Sequence, residues 1–354
     1  MSTPRSSRSH ATRVIAGVVV AVIACVLLYQ WAESGHTFPQ DALDPRGPVA
    51  RKEDHLWNIV FPITIVVFVL VNALVLTVVV KFRRRGDDDV PVQVHGNPKL
   101  ELAWTIAPAF VLAVVGVFTV ATVFKINERA SANDNALFVK VIGHQWWWEF
   151  QYPNEKITTA NELVIPTGRT VQLEMTSVDV IHSFWPPKLA GKVDVVPGRQ
   201  NYMQVKADKA DTYWGQCAEF CGLSHANMRL RVVSKTPGDF NVWVADQQKP
   251  AAAAATDDAK AGALLVQQRG CGGCHTINGL EGVNGKVGPN LTHLQSRSVF
   301  AGALFELNEQ NLRRWLKNPP AEKPMMPAQG IGMPNLNLAD QDITNIIAYL
   351  ETLK

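Results

Sequence analysis

Long apolar segments occupy the first third of the chain, and shorter segments interrupted by polar residues follow. Residues 56–80 and 102–124 contain no charged residue, and each exceeds the roughly 20 residues that a helix needs to cross about 30 Å of hydrocarbon. Pro62 and Pro108 lie near the segment starts, where a missing amide is least costly. We therefore predict a transmembrane helical hairpin within residues 50–126.

A shorter apolar segment, residues 14–28, follows three arginines near the N-terminus. A basic start before an apolar segment of this length indicates a secretory signal or anchor over residues 1–30. Residues 22–25 also match a bacterial lipoprotein cleavage box, which would leave Cys25 as a lipidated N-terminus. An uncleaved anchor and a later cleavage site are the alternatives.

The orientation of the hairpin follows from the basic residues after its first span, Lys81, Arg83, Arg84 and Arg85. The positive-inside rule places this loop in the cytoplasm. Everything after about residue 126 is then predicted to lie on the outer side of the membrane.

Residues 136–235 show strand periodicity. Val171, Leu173 and Met175 alternate with polar residues, as do Leu230 and Val232, and proline with glycine marks the turns. About a hundred residues of short strands predict an all-β sandwich or Greek-key barrel.

A proline- and alanine-rich linker is predicted at residues 247–260, and an all-α domain at 261–354. The last helix is amphipathic, with an apolar face formed by Ile343, Ile346, Ile347 and Leu350. The fold class is thus a multidomain membrane protein: a helical hairpin, an all-β domain and an all-α domain.

Composition excludes one class of partner and limits the cysteine chemistry. The net charge of +3 gives no argument for nucleic-acid binding. Of the five cysteines, two pairs lie in ligand-like motifs and only Cys25 is left over. No pair is therefore available for a structural disulfide.

A soft-metal site is indicated by residues 215–228. They contain two thiols, an imidazole and a thioether at Cys217, Cys221, His225 and Met228, and His182 lies upstream. Such ligands select copper, zinc or iron. A mononuclear blue-copper site uses a single cysteine, and this segment contains two. A zinc site would leave Met228 unused, and a Cys217–Cys221 disulfide would leave the histidines unused. Two thiolates bridging two coppers use every group.

A second motif is CxxCH, formed by Cys271, Cys274 and His275. It is the attachment signature of c-type haem, in which two thioether bonds hold the porphyrin and the histidine is an axial ligand. A zinc half-site or a thioredoxin-like pair would need further ligands or a βαβ setting.

The sequence CAEFCGLSHANM with its upstream His182, together with GHQWWWEFQYP and GKVDVVPGR, resembles subunit II of cytochrome c oxidase. Residues 261–354, with GPNL at 288–291, resemble a class I cytochrome c, so the whole resembles the caa3-type subunit. The resemblance implies a cupredoxin domain with a dinuclear copper centre, CuA. The implied ligands are His182, Cys217, the carbonyl of Glu219, Cys221, His225 and Met228.

The resemblance also implies roles for residues outside the copper ligands. The side chain of Glu219 would reach a magnesium ion shared with the catalytic subunit. Trp146 would be the exposed tryptophan through which electrons enter, and Glu101 would lie at the mouth of a proton channel, although a plain acidic residue at a helix N-terminus is the alternative. The second axial haem ligand would be Met333, with Met325 or Met326 as alternatives. Ala339 departs from the serine or threonine cap usual in relatives.

The implied function is the electron-accepting subunit of a bacterial haem-copper oxidase in the inner membrane, with its redox domains on the periplasmic side. Electrons would pass from a donor, such as a cytochrome c or the bc1 complex, through haem c to CuA and on to subunit I. Subunit III and membrane lipid are further expected partners. A CuA-containing nitric oxide reductase and a copper assembly or storage module are the alternatives, and the haem motif argues against the latter.

Overall fold

The computed structural model describes residues 38–83, 93, 95–131 and 134–354. It forms two compact units; the first contains residues 55–121 and the second contains residues 40–54 and 122–354. The predictions for residues 1–30, including Cys25, and for Arg84 and Arg85 lie outside the described residues.

Two long helices form the N-terminal part, α1 at Pro48–Lys81 and α2 at Pro98–Ile126. Both are long and apolar enough to cross a membrane. They begin earlier than predicted, because polar residues extend each apolar segment at its N-terminal end. Pro62 and Pro108 lie near the starts of the apolar segments but inside the helices, so the expectation that their missing amides are least costly there is wrong.

The β-domain (residues 137–247) consists of two five-stranded sheets, with strand orders β3-β2-β1-β5-β8 and β4-β10-β9-β6-β7. β1 pairs with β5 in parallel, and β10 pairs with β4 in parallel. The strands are β1 Leu137–His144, β2 Trp147–Tyr152, β3 Ile157–Ala160, β4 Glu162–Pro166, β5 Val171–Ser177, β6 His182–Trp185, β7 Val193–Val195, β8 Asn201–Val205, β9 Asp211–Cys217 and β10 Arg229–Lys235.

The core of this sandwich lies between the two sheets. Alternate residues of β1 and β5 point inward, and Leu173 and Met175 are fully buried, as the periodicity predicted. The ring of Phe184 contacts those of Trp148 and Phe150 edge to face in the same core, a geometry that aromatic rings favour. The predicted all-β sandwich is confirmed.

A helix that the sequence reading missed closes the β-domain. α3, Pro237–Gln247, begins at Thr236, whose side chain accepts a hydrogen bond from the Asp239 amide, and it buries Phe240 and Trp243. The linker is shorter than predicted, since residues 257–260 already belong to the next helix. Its Ala251 amide donates to the carbonyl of Asn278 at 2.9 Å, so this part of the linker is bound to the domain that follows.

The C-terminal domain (residues 257–354) is mainly helical. Its last helix buries Ile343, Ile346, Ile347 and Leu350, as predicted. Ala339 precedes it and provides no side-chain cap. The elements are α4 Asp257–Gln268, β11 Val299–Phe300, β12 Phe305–Glu306, α5 Glu309–Lys317, α6 Pro319–Glu322 and α7 Asp340–Leu350.

Candidate functional site

The sulfur and imidazole groups that the sequence singled out lie together at one end of the β-domain. Cys217 Sγ is 3.7 Å from Cys221 Sγ and 3.9 Å from His182 Nδ1. Cys221 Sγ is 3.5 Å from His225 Nδ1 and 3.8 Å from Met228 Sδ. Ligand atoms about 2.0–2.3 Å from a tetrahedral ion are roughly 3.3–3.8 Å apart. The cluster therefore fits soft metal ions.

A backbone carbonyl joins the cluster. The carbonyl oxygen of Glu219 lies 3.3 Å from Cys217 Sγ, close enough to serve as a weak ligand. The Glu219 side chain is half-buried. The residue between the two cysteines thus offers its main chain to the cluster.

Strand pairing brings the distant ligands together. His182 begins β6 and Cys217 ends β9, and these strands pair with Phe184 opposite Cys217. A short 3-10 turn, His225–Asn227, then carries the chain back to β10. The Cys217 amide donates to the carbonyl of Met228 at 2.8 Å, which closes this loop.

The ring of His182 is held from two sides. Its Nε2 donates to Asp179 Oδ1 at 2.8 Å, which leaves Nδ1 facing Cys217. Asp179 Oδ2 accepts from the Gln145 amide at 2.6 Å. A Cβ on Gly143 would lie 2.7 Å from His182 Cδ2, so only glycine leaves room for the ring. A carboxylate that orients a ligating histidine in this way is typical of metal sites.

The hydrogen bonds within this cluster favour one ionised thiol and hold protons on Cys221 and His182. The hydrogen bond from Cys221, and next the one from His182, lower the pKa of the Cys217 thiol, while bonding to Cys217 raises the pKa of Cys221. Burial opposes the charged form of His182, but its bond to Asp179 raises the pKa of the ring. One thiolate is therefore available, and a metal ion would displace the remaining protons.

The CxxCH segment forms a second site in the C-terminal domain. Cys271 and Cys274 are free thiols on a short turn. His275 Nδ1 donates to the carbonyl of Pro289 at 2.8 Å, which leaves Nε2 for an iron ligand. Burial lowers the pKa of His275 and keeps the ring neutral, as ligation requires.

An arginine that sequence reasoning missed supports the fit to haem. Arg297 is 7% exposed, and its Nε has no hydrogen-bond partner within the described part of the chain. Its charge also contributes to the lowered pKa of His275. The Nη2 group of Arg297 donates to the carbonyl of Asn290, and Glu162 is near enough to interact with its charge. The Nε–H group is the donor left for a further anion, and haem carries two propionates. No local sequence pattern marks Arg297, because its environment is formed by distant residues.

The three methionines considered as axial ligands lie in two environments. Met333 packs against the core of the C-terminal domain, and its Sδ accepts from Trp315 Nε1 at 3.2 Å. Met325 and Met326 pack against the core of the β-domain.

Trp146 differs from the expectation of an exposed residue, since it is 2% exposed. Its Nε1 donates to the carbonyl of Cys221 at 3.0 Å, and its own carbonyl accepts from Lys323 Nζ at 2.6 Å. Lys323 and Gly302 belong to the C-terminal domain, which covers this side of the tryptophan. Because these contacts join residues far apart in sequence, the sequence alone could not predict the burial.

Glu101 lies in the first turns of α2. Its Oε1 accepts from the Asn97 amide at 3.1 Å, and Asn97 Oδ1 accepts from the Leu100 amide at 3.2 Å. This reciprocal pattern caps a helix N-terminus. The alternative interpretation of Glu101, an acidic residue at a helix N-terminus, is therefore supported by these two hydrogen bonds.

Family models match the chain in sequence order. "Cytochrome C oxidase subunit II, transmembrane domain" matches residues 32–122, "Cytochrome C oxidase subunit II, periplasmic domain" matches 155–235, and "Cytochrome c" matches 259–354. Cytochrome c oxidase subunit 2 of Alkalihalophilus pseudofirmus is 36% identical over 323 residues, which cover 88% of this chain and 90% of the relative. The chain belongs to the cytochrome c oxidase subunit II family.

The chain is also similar to a second relative and to one solved structure. Cytochrome c oxidase subunit 2 of Bacillus sp. (strain PS3) is 35% identical over 77% of this chain and 79% of its own length. The crystal structure of the periplasmic domain of subunit II from Bradyrhizobium japonicum is 32% identical and covers 32% of this chain and 93% of that chain, with a TM-score of 0.31.

Family membership makes the chain a subunit of a haem-copper oxidase, an oxidoreductase. CuA copper and haem c follow from the two matched domains. The two apolar helices match the family's transmembrane domain and indicate a membrane anchor.

Proposed function

We propose that this chain relays electrons from an external donor to the catalytic subunit of a haem-copper oxidase. Bound haem c and CuA copper would supply one-electron carriers in the C-terminal domain and the β-domain, respectively. The observation that carries the proposal is that both candidate sites lie in one compact unit, in which Trp146 contacts both the copper cluster and the C-terminal domain. Trp146 bonds to the carbonyl of Cys221 on one side and to Lys323 of the C-terminal domain on the other.

In this proposal the ligands of the copper cluster differ in how strongly they bind the metal. The thiolates of Cys217 and Cys221 and the rings of His182 and His225 would be the strong ligands of the copper ions, and the carbonyl of Glu219 and Met228 would be weak ones. A rigid sandwich that holds these groups from β6, β9 and the loop between β9 and β10 limits reorganisation when the charge changes. The assigned ligands are His182, Cys217, the carbonyl of Glu219, Cys221, His225 and Met228.

For the haem we assign Cys271 and Cys274 as the thioether attachments and His275 as one axial ligand. We assign Met333 as the other, because it packs within the same domain whereas Met325 and Met326 contact the β-domain. A methionine ligand raises the reduction potential.

Two further assignments concern acidic residues. The half-buried side chain of Glu219 would bind magnesium at the surface shared with the catalytic subunit. Glu101 would deliver protons to a channel in that subunit, in addition to capping α2. Trp146 would conduct electrons from the C-terminal domain and not from a separate protein, since it is buried.

The proposed setting is the bacterial inner membrane, crossed at least twice. The basic residues Lys81 and Arg83 at the C-terminal end of α1 favour a cytoplasmic loop and periplasmic redox domains. Subunit I would accept the electrons, reduce oxygen to water and pump protons, with subunit III alongside. A cytochrome c or the bc1 complex would be the donor. A CuA-containing nitric oxide reductase is the alternative assembly.

The test uses the full chain purified with its catalytic subunit. After anaerobic mixing with a small reductant, the haem and copper absorption bands are followed by stopped flow, and oxygen is then admitted. We expect haem reduction first, copper reduction next and oxygen consumption last. Cys217→Ser should stop the sequence at the haem, whereas Thr212→Ser, an exposed change on the same strand, should not. Nitric oxide consumption without oxygen consumption would favour the alternative, and normal turnover of Cys217→Ser would refute the relay.

A further inference from the structure

A buried lysine amine of the C-terminal domain forms a hydrogen bond with the β-domain. Lys323 is 3% exposed, and its Nζ donates to the carbonyl of Trp146 at 2.6 Å and to the carbonyl of Ala301 at 2.9 Å. Burial lowers the pKa of Lys323 to about 7, and the amine donates both bonds in either protonation state. Removing an amine from water is costly unless its bonds are replaced, so this contact depends on the two domains staying together.

A buried carboxylate of the β-domain accepts hydrogen bonds from the C-terminal domain. Glu162 of β4 is 4% exposed. Its Oε1 accepts from the Ser298 amide at 2.7 Å, the Ser298 hydroxyl at 2.5 Å and the Val299 amide at 3.0 Å. Hydrogen bonds to an ionised group are the strong ones. Separation of the domains would leave the Ser298 and Val299 amides without this acceptor.

Main-chain contacts join the domains between these two side chains. The Arg229 amide donates to the carbonyl of Gly302 at 2.8 Å, and Ser224 Oγ donates to the carbonyl of Pro324 at 2.5 Å. Gly302 has φ +77, and a Cβ there would lie 2.6 Å from the carbonyl oxygen of Trp146. The backbones of the two domains therefore lie closer together than those of two domains joined only by a flexible linker.

We propose that Lys323 and Glu162 are reciprocal positioning residues that hold the C-terminal domain on the Trp146 side of the β-domain. Lys323 has one hydrogen-bond partner in each domain, and the partners of Glu162 all belong to the C-terminal domain. The inference rests on the proposed electron relay. It adds that the transfer of one electron between the domains, in which no bond is made or broken, needs no docking motion. It also means that a separate donor protein meets the C-terminal domain and does not reach Trp146.

The first arm of the test is hydrogen exchange on the full chain, with Lys323→Met and Glu162→Gln as variants. In the parent, the Ser298 and Val299 amides should exchange far more slowly than linker residues 252–254. Losing one partner of a buried hydrogen-bonded charge should reduce the docking equilibrium constant on the order of 30-fold or more. Exchange of these amides should accelerate by the same factor. Lys260→Met and Glu174→Gln, which change a solvent-exposed lysine and a half-buried glutamate, should exchange like the parent.

The second arm measures the haem-to-copper transfer rate in the assembled oxidase as glycerol is added. The parent rate should not respond to viscosity, whereas both variants should be slower and viscosity-dependent. Linker-like exchange at Ser298 and Val299 in the parent, a viscosity-dependent parent rate, or parent-like behaviour of both variants would overturn the proposal. If a variant fails to fold, the measurements on the parent protein still test the proposal. Protected amides without any electron transfer would instead refute the relay and leave the docking intact.

Discussion

Replacing Asp179 by asparagine tests how the β-domain prepares His182 for a metal ion. Asp179 Oδ1 accepts from His182 Nε2 at 2.8 Å, and the opposite ring nitrogen is 3.9 Å from Cys217 Sγ. Asparagine has the same size but no charge, and its amide can present a donor to Nε2 instead of an acceptor. The substitution should therefore release the ring and favour the wrong tautomer.

The expected size of this effect follows from other carboxylate–histidine–metal arrangements. Loss of such a partner lowers metal affinity about 10- to 100-fold, or about 1.4–2.7 kcal/mol. Copper affinity can be measured by competition with a chelator, with Asp194→Asn as the control because Asp194 is exposed on β7. Equal copper affinity of Asp179→Asn and the control would refute the view that Asp179 orients the ligand.

Three further changes test the haem ligand, the pH dependence and the packing of the copper cluster. Met333→Ala should abolish the sulfur-to-iron absorption band and lower the haem potential, whereas Met325→Ala should do neither. Burial opposes ionisation of Glu149, yet its bond to His144 lowers the pKa of the carboxyl. The ionised carboxylate should therefore stabilise the fold fully above the unfolded-state pKa of ~4.3. This stabilisation should be lost as the pH falls through the lower pKa of the folded state. Glu149→Gln should thus cost about 1 kcal/mol near neutral pH and almost nothing in acid, by denaturant unfolding. Gly143→Ala should displace the facing imidazole ring and reduce copper affinity about tenfold.

Matched controls separate these effects from general damage. Gly238→Ala, whose added Cβ meets nothing closer than 4.0 Å, should leave copper affinity unchanged. A pH-independent loss in Glu149→Gln, or full copper affinity in Gly143→Ala, would contradict the account. Retention of the absorption band in Met333→Ala would reassign the axial ligand.

The sequence was sufficient for features that depend on local pattern or ligand chemistry. Alternation predicted the inward residues Leu173 and Met175 of β5, and helical spacing predicted the buried face of α7. The copper-ligand candidates were recognisable because soft ligands rarely occur so close together, and strand pairing then explains how His182 joins Cys217 from a distance.

Features that depend on long-range contacts were not predictable. Asp179 precedes His182 by only three residues, yet its role depends on the tautomer that faces Cys217. The burial of Trp146 and the roles of Lys323 and Glu162 arise where two domains meet, and nothing in either local sequence encodes that contact. The helix starts were misplaced for a different reason, since apolar length marks a span but not the polar turns that extend it.

The most direct test of the central claim is metal and haem analysis of the purified full chain, with optical and EPR spectra. The account predicts two coppers per chain, a mixed-valence signal whose hyperfine splitting is shared by two nuclei, and one covalent low-spin haem. One zinc ion, or a single copper with a mononuclear signal, would contradict the dinuclear assignment of Cys217 and Cys221 and with it the relay.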